Sequence, residues 1–207
     1  MEEKAIIYCV DDDESVHFFM AKWAKKMDLT FFSFSNPALF LSQLPNTFTH
    51  NKPCCIITDF YMPEMNGLQF LKILKEQQVD VPVIVMTGHA DVPMLLDVMR
   101  TGVFEFIEKP LKQQEVNAVI SKALSQQQQQ KQQQQDYQTV LARFALLSPR
   151  ERDALTQVVA GKTNKIIARE LNISFRTVEK YRARMMQKMQ VDNVATLTYL
   201  ATKYQLK

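Results

Sequence analysis

Two acidic stretches carry the residue types best suited to chemistry. "YCVDDDE" places Asp11, Asp12 and Asp13 directly after an apolar run, and "CCIITDFYMPEMNG" ends another apolar run on Asp59. Two further apolar runs finish on Thr87, in "VMTGHA", and on Lys109, in "FIEKP". Acids brought to one place repel, by roughly 4 kcal/mol for two unit charges about 4 Å apart at an effective dielectric near 20. A hard divalent cation offsets that cost. Mg²⁺ suits best, because it takes a few carboxylates, keeps waters and leaves room for phosphate. A carboxylate nucleophile, a metal, a hydroxyl and an ammonium together suit formation of an aspartyl phosphate. Phosphoryl transfer asks mainly for positioning and charge neutralisation, and these groups provide both.

The surrounding pattern supplies elements to position them. "IIYCV", "TFFSFS", "CCIIT", "VPVIVMT" and "FEFIEK" read as five strands. Val16, Phe19, Met20, Trp23 and Met27 fall at helical spacing between two of them, as do Leu95, Val98 and Met99 between two others. Strand–helix alternation predicts an α/β fold, a parallel sheet doubly wound by helices on both faces. Ligands of such sheets sit at the carboxyl ends of the strands. If the first and third strands are neighbours, Asp11, Asp12 and Asp59 converge there. The plainer expectation for an acid at a strand end is to cap the next helix, and Asp13 or Glu14 is predicted to do so. His17, His50 and His89 show no ligand spacing. The methionines at helical spacing are expected to fill the core.

"VDDDE", "ITDFYMPEMNG", "MTGHADVPM" and "FIEKP", in this order, resemble the receiver domain of two-component response regulators over roughly residues 4–124. The resemblance implies a CheY-like five-stranded receiver in which Asp59 accepts the phosphoryl group. Asp11, Asp12, Asp59 and the backbone carbonyl of Tyr61 would surround Mg²⁺. It further implies that Thr87 and Lys109 hold the phosphoryl group, that Phe106 is the switching aromatic, and that Lys109–Pro110 is a cis peptide. Tyr61 and His89 occupy two positions that vary in this family and influence loss of the phosphoryl group. Both are large, which leads to the expectation of a long-lived phosphorylated form.

Charge divides the chain. Residues 1–124 carry 11 Lys+Arg against 16 Asp+Glu, a net −5, and residues 125–207 carry 14 against 6, a net +8. Between them, nine of the ten residues Gln126 to Gln135 are glutamine. The tract is expected to connect rather than to join a core. Glutamine is also a fair helix former. Val116, Val119, Ile120 and Ala123 precede the tract at helical spacing, and Tyr137, Val140, Leu141 and Phe144 resume it. A flexible tether and one long helix both fit. The predicted organisation is a receiver at 1–124, a Gln-rich linker at 125–143 and a helical domain at 144–207. Cys9, Cys54 and Cys55 lie in apolar runs without metal spacing, which predicts buried free thiols in a reducing cytoplasm. No stretch reaches the roughly 20 apolar residues of a membrane span, and the N-terminus lacks the pattern of a secretory signal.

In the basic half, Ser148, Pro149 and Glu151 form a helix start with a capping box. Leu155, Val158 and Val159 give its apolar face, and Gly161 is placed to end it. A short helix through Ile167, Ala168 and Leu171 follows, then the turn "NIS", then a helix capped by Ser174. Helix, tight turn and helix in a basic segment is a helix-turn-helix signature. On the third helix, Val178, Tyr181, Met185 and Met189 share one stripe. Arg176, Lys180, Ala183, Arg184 and Gln187 lie opposite, with Glu179 at the margin. That face suits the major groove of double-stranded DNA.

The segment 146–205 resembles the LuxR/FixJ-type four-helix DNA-binding domain, an all-α helix-turn-helix fold. The resemblance implies that Lys180, Glu179 and Ala183 face base edges, and that Arg176, Thr177, Arg182, Arg184 and Lys188 mainly contact phosphates. Tyr181 stands where many relatives carry histidine, which predicts a change of packing rather than of specificity. A last helix bearing Val194, Leu197, Ala201 and Tyr204 would pack on its own domain and pair two copies as a homodimer on activation.

The combined reading is a response regulator and transcription factor, phosphorylated on Asp59 by a sensor histidine kinase, with no membrane partner. It is an enzyme only toward its own Asp59. A phosphohydrolase of the haloacid-dehalogenase type needs an acid two residues after the nucleophile, where Tyr61 stands. The four glycines form neither a dinucleotide nor a P-loop motif. The alternative is a transcription factor whose receiver is purely structural.

Overall fold

The computed structural model describes residues 4–44, 52–88 and 92–206, with backbone alone at 92–95. Its contacts divide the chain into two compact units, residues 1–130 and 131–207.

The first unit is a five-stranded, wholly parallel sheet in the order β2-β1-β3-β4-β5. The strands are β1 (Ile6–Val10), β2 (Thr30–Phe34), β3 (Cys54–Asp59), β4 (Val83–Thr87) and β5 (Glu105–Glu108). Helices α1 (Glu14–Lys26), α2 (Pro37–Ser42), α3 (Gly67–Glu76) and α4 (Val92–Thr101) alternate with them. Successive residues of a strand point to opposite faces, so β1 feeds two cores. Tyr8 and Val10 pack with Phe40, Phe70 and Val98 on one side. Ile7 and Cys9 pack with Met20, Trp23 and Ile120 on the other. This is the doubly wound α/β architecture that the alternating pattern implies. All three cysteines are buried and free.

Helix α5 (Gln113–Ala145) runs for 33 residues through the glutamine tract, so helix propensity prevails over the flexible alternative. Its first turns bury Val116, Ile120 and Ala123. The expectation that the tract stays out of the core is corrected at Gln127, which is only 2% exposed. Its Oε1 accepts the backbone N–H of Cys54, the first residue of β3, and its Nε2 lies 3.5 Å from the Cys54 Sγ. A buried strand-end amide that takes the Gln127 carbonyl as acceptor explains why a polar side chain enters the core.

Two methionines also depart from expectation. Met20, Met185 and Met189 are buried, but Met99 is 62% exposed and Met27 is 39% exposed. Helix α4 buries Val98, and the next residue lies 100° further round, on the solvent side. Met27 is the C-cap of α1, beyond its last turn.

The second unit packs α6 (Pro149–Val159), α7 (Asn164–Glu170), α8 (Phe175–Met189) and α9 (Val194–Lys203) around one core. Leu147, Ala154, Leu155, Val158, Ile167, Val178, Met185, Met189, Leu197 and Ala201 are its buried apolar residues, with Val140 from the end of α5. The helix starts follow the expected chemistry. Ser148 and Glu151 form a reciprocal capping box with Pro149 in the first turn, and Ser174 accepts the Thr177 N–H. Gly161 adopts φ +74° after α6, a conformation that a side chain disfavours. Asn172 adopts φ 52° between α7 and α8 and so makes their turn tight. Among the described residues, no helix is long and apolar enough to cross a membrane.

Candidate phosphoacceptor site and nucleic-acid interface

Strand register assembles the acidic site. Val10 pairs with Thr58, so Asp11 and Asp59 follow at adjacent strand tips. Thr87 pairs with Glu108, which brings the end of β4 beside Lys109. Carboxylate oxygens of Asp11, Asp12 and Asp59 all lie within 4.8 Å of one another. Asp11 and Asp59 are buried and Asp12 is exposed, so the cluster opens to solvent on one side.

Both buried carboxylates are held from behind. The Asp13 N–H donates to Asp11 Oδ1 at 2.8 Å, and the Phe60 N–H donates to Asp59 Oδ1 at 2.7 Å. Lys109 Nζ bridges the remaining oxygens, 2.9 Å from Asp11 Oδ2 and 2.9 Å from Asp59 Oδ2. Burial raises the Asp11 pKa above the ordinary carboxylate range, although Lys109 and the Asp13 N–H act against it. Burial would lower the Lys109 pKa, but its bonds to Asp59 and Asp11 outweigh this and hold the ammonium above the usual lysine value.

The floor of the site depends on a glycine that sequence reading did not single out. A Cβ on Gly67 would meet the Phe60 Cα at 2.9 Å and the Asp59 carbonyl oxygen at 3.0 Å. The Gly67 N–H also donates to the Phe60 carbonyl at 2.8 Å. Only glycine allows α3 to start this close beneath Asp59. The available signal was its place at the helix start, after the Asn66 cap.

The other predicted site residues lie near this edge. Thr87 is 2% exposed, and Phe106 is half-buried against the α3/α4 core. Tyr61 is 54% exposed, with its ring edge-on to Phe60. His89 and His50 lie outside the described residues. Asp13 caps α1 by accepting the Ser15 N–H, and Lys109–Pro110 is cis. A groove of about 520 Å³ opens beside Lys109, between Val16 and Phe19 of α1 and Pro110. The residues present fit a magnesium ion: three oxygen donors converge, and Asp12 leaves the site accessible to water and phosphate.

The second candidate site is α8. Its core stripe is as expected, with Val178, Met185 and Met189 buried and Tyr181 half-buried. Its exposed face carries two neighbouring rows, the residues of each row being one helical turn apart. Arg176, Lys180 and Arg184 form a cationic row, and Phe175, Glu179 and Ala183 form the other. Three residues that the resemblance gives to phosphates are engaged inside the protein. Arg182 Nη1 donates to Asn164 Oδ1 at 3.0 Å, and Thr177 Oγ1 lies 2.7 Å from Ser174 Oγ. Lys188 Nζ lies 2.6 Å from Glu151 Oε2. Lys188 keeps about a third of its side chain exposed while its ammonium pairs with the buried Glu151 carboxylate. Burial would raise the Glu151 pKa, but Lys188 and the Ser148 N–H hold it below the ordinary glutamate value.

Comparison with known proteins agrees with both halves. The family described as response regulator receiver domain matches residues 7–121, and the luxR family of bacterial regulatory proteins matches residues 145–201. The transcriptional regulatory protein FixJ of Bradyrhizobium diazoefficiens is 37% identical, over 98% of this chain and 97% of its own. The response regulator protein TodT of Pseudomonas putida is 32% identical, over 95% and 85%. Among solved structures, the response regulator StyR superposes with a TM-score of 0.85 at 29% identity, covering 98% of this chain and all of its own. Full-length FixJ from B. japonicum gives 0.60 at 35% identity, with 98% of each chain covered. The chain belongs to the two-component response regulators that join a receiver domain to a LuxR-type DNA-binding domain.

Proposed function

We propose that this response regulator is switched by phosphorylation of Asp59 and then binds DNA as a dimer through α8. The observation that carries the reading is the Lys109 ammonium bridging Asp11 and Asp59 in a cluster of three carboxylates. A phosphohistidine of a sensor kinase is the donor. Its N–P bond breaks as an Asp59 carboxylate oxygen bonds to phosphorus, and the imidazole nitrogen keeps the electron pair. The groove beside Lys109 gives the donor an approach. Asp11, Asp12, Asp59 and the Tyr61 carbonyl would hold Mg²⁺, which when bound neutralises the phosphoryl oxygens. Lys109 turns from the bare carboxylates to the new phosphoryl group, and Thr87 contributes its hydroxyl. Phe106, only half-buried, has room to follow Thr87, so the surface around β5 changes. The added charge biases an equilibrium between two conformations.

In the second unit, α8 enters the major groove. Lys180, Glu179 and Ala183 face bases, while Arg176 and Arg184 set register on phosphates. Arg182, Thr177 and Lys188 act chiefly by holding the domain together. The buried free thiols fit a reducing cytoplasm. Gel-shift titration with and without acetyl phosphate, on wild type and Asp59→Ala, tests the reading. Tighter binding by phosphorylated wild type alone is expected. Equal binding in all four conditions would favour a receiver that is structural only.

A further inference from the structure

Phe175 takes no part in the buried core of its own domain. It is the first residue of α8, 45% exposed, and stands outside the hydrophobic core of the second unit. The helix cap is complete without it, since Ser174 Oγ accepts the Thr177 N–H at 3.1 Å and also meets the Thr177 hydroxyl. A bulky aromatic ring is not among the residues favoured at a helix start, where small polar side chains, acids and proline serve. An exposed phenyl ring at the start of this helix is therefore available to a partner from outside the domain.

Its position supplies one. Phe175, Glu179 and Ala183 follow one another at intervals of four residues, and all are exposed. They run beside the cationic row Arg176, Lys180 and Arg184. When a recognition helix docks, its N-terminal residues reach base edges. The major-groove feature that matches an apolar ring is the 5-methyl group of thymine, whereas a glutamate matches the amino group of cytosine. We propose, resting on the DNA-binding reading above, that Phe175 is a specificity-determining residue that contacts a thymine methyl in each half-site, ahead of the base read by Glu179.

The test exploits uracil, which is thymine without that methyl. Duplexes bound by the full-length, acetyl-phosphate-treated protein are selected from a random pool, and each thymine is then replaced singly by deoxyuridine. For wild type, one position per half-site should weaken binding about fourfold on replacement, the loss of one methyl-sized apolar contact. Phe175→Ala should bind the thymine duplex about as wild type binds the uracil one, and should be indifferent to replacement at that position. Phe175→Leu should recover part of the sensitivity. The inference is overturned if wild type and Phe175→Ala respond alike to every replacement. It is equally overturned if Phe175→Ala impairs self-association but not thymine sensitivity. Failure to select any sequence would overturn the underlying DNA-binding reading as well, and so is distinguishable from both.

Discussion

The strand tips of the first unit and the third helix of the second both gather like charges, but they hold them in opposite ways. Asp11 and Asp59 are withdrawn from water and clamped by Lys109 and two backbone amides. Arg176, Lys180 and Arg184 stay in water, spread along a helix. Buried charges interact strongly at short range and are little screened by salt, so under the proposed function one added ion or phosphoryl group would shift the acidic cluster strongly. Exposed charges cost little before a polyanion arrives, and their attraction to it fades with salt. One region is built to change state, and the other to meet a large surface.

Removing the clamp should break this contrast most severely. Lys109→Ala leaves two buried carboxylates uncompensated, and unfolding of the first unit should become easier by about 3 kcal/mol, near the lower end for a broken buried pair. Added Mg²⁺ should restore more stability to the variant than to wild type, because ligation of the native state alone stabilises it. Denaturant titration with and without the ion measures both effects. A loss below about 1 kcal/mol would mean that the tips do not repel as described.

On the exposed side, Lys180→Ala should cost about 1–3 kcal/mol in DNA affinity and relax sequence preference. Arg184→Ala should weaken binding to all sequences evenly and reduce the salt slope by about 1. Gel shifts at several salt concentrations separate the two. Equal and salt-independent losses would contradict the division between base-facing and phosphate-facing cations.

How far these regions were legible in the sequence follows from how each is built. The acidic tips were readable because four apolar runs end in turn on Asp11, Asp59, Thr87 and Lys109, and because strand order brings those ends together. The basic face was readable from helical periodicity. Partners remote in sequence were not. Lys188 lies at the edge of the exposed face, and its partner Glu151 is 37 residues away in another helix. Gln127 is one glutamine among nine, and nothing local marks it as the one that meets Cys54, 73 residues distant. Gly67 carried its clue in the cap before it, but its close approach to Phe60 exists only in three dimensions.

Those hidden partners give the smaller effects. Gln127→Leu removes the side-chain acceptor of the Cys54 N–H, which should cost about 1–2 kcal/mol in the first unit, read by denaturant titration. A neutral result would mean that water replaces the side chain. Glu151→Gln should cost the second unit about 1 kcal/mol at neutral pH, because Lys188 keeps a third of its side chain exposed and the pair is partly screened. Since Glu151 titrates below its ordinary 4.5 in the folded chain, its contribution is fully present above that value. It is lost as pH falls through the lower, folded pKa, so wild type and variant should converge in acid. A gap that persists or widens there would contradict the pairing.

The central claim, that Asp59 accepts a phosphoryl group, is tested most directly by intact-mass and peptide mass spectrometry after treatment with a small phosphodonor and Mg²⁺. Wild type is predicted to gain a single phosphoryl group on Asp59, and Asp59→Asn to gain none. An unmodified wild-type chain, or an adduct that maps to any other residue, would contradict it.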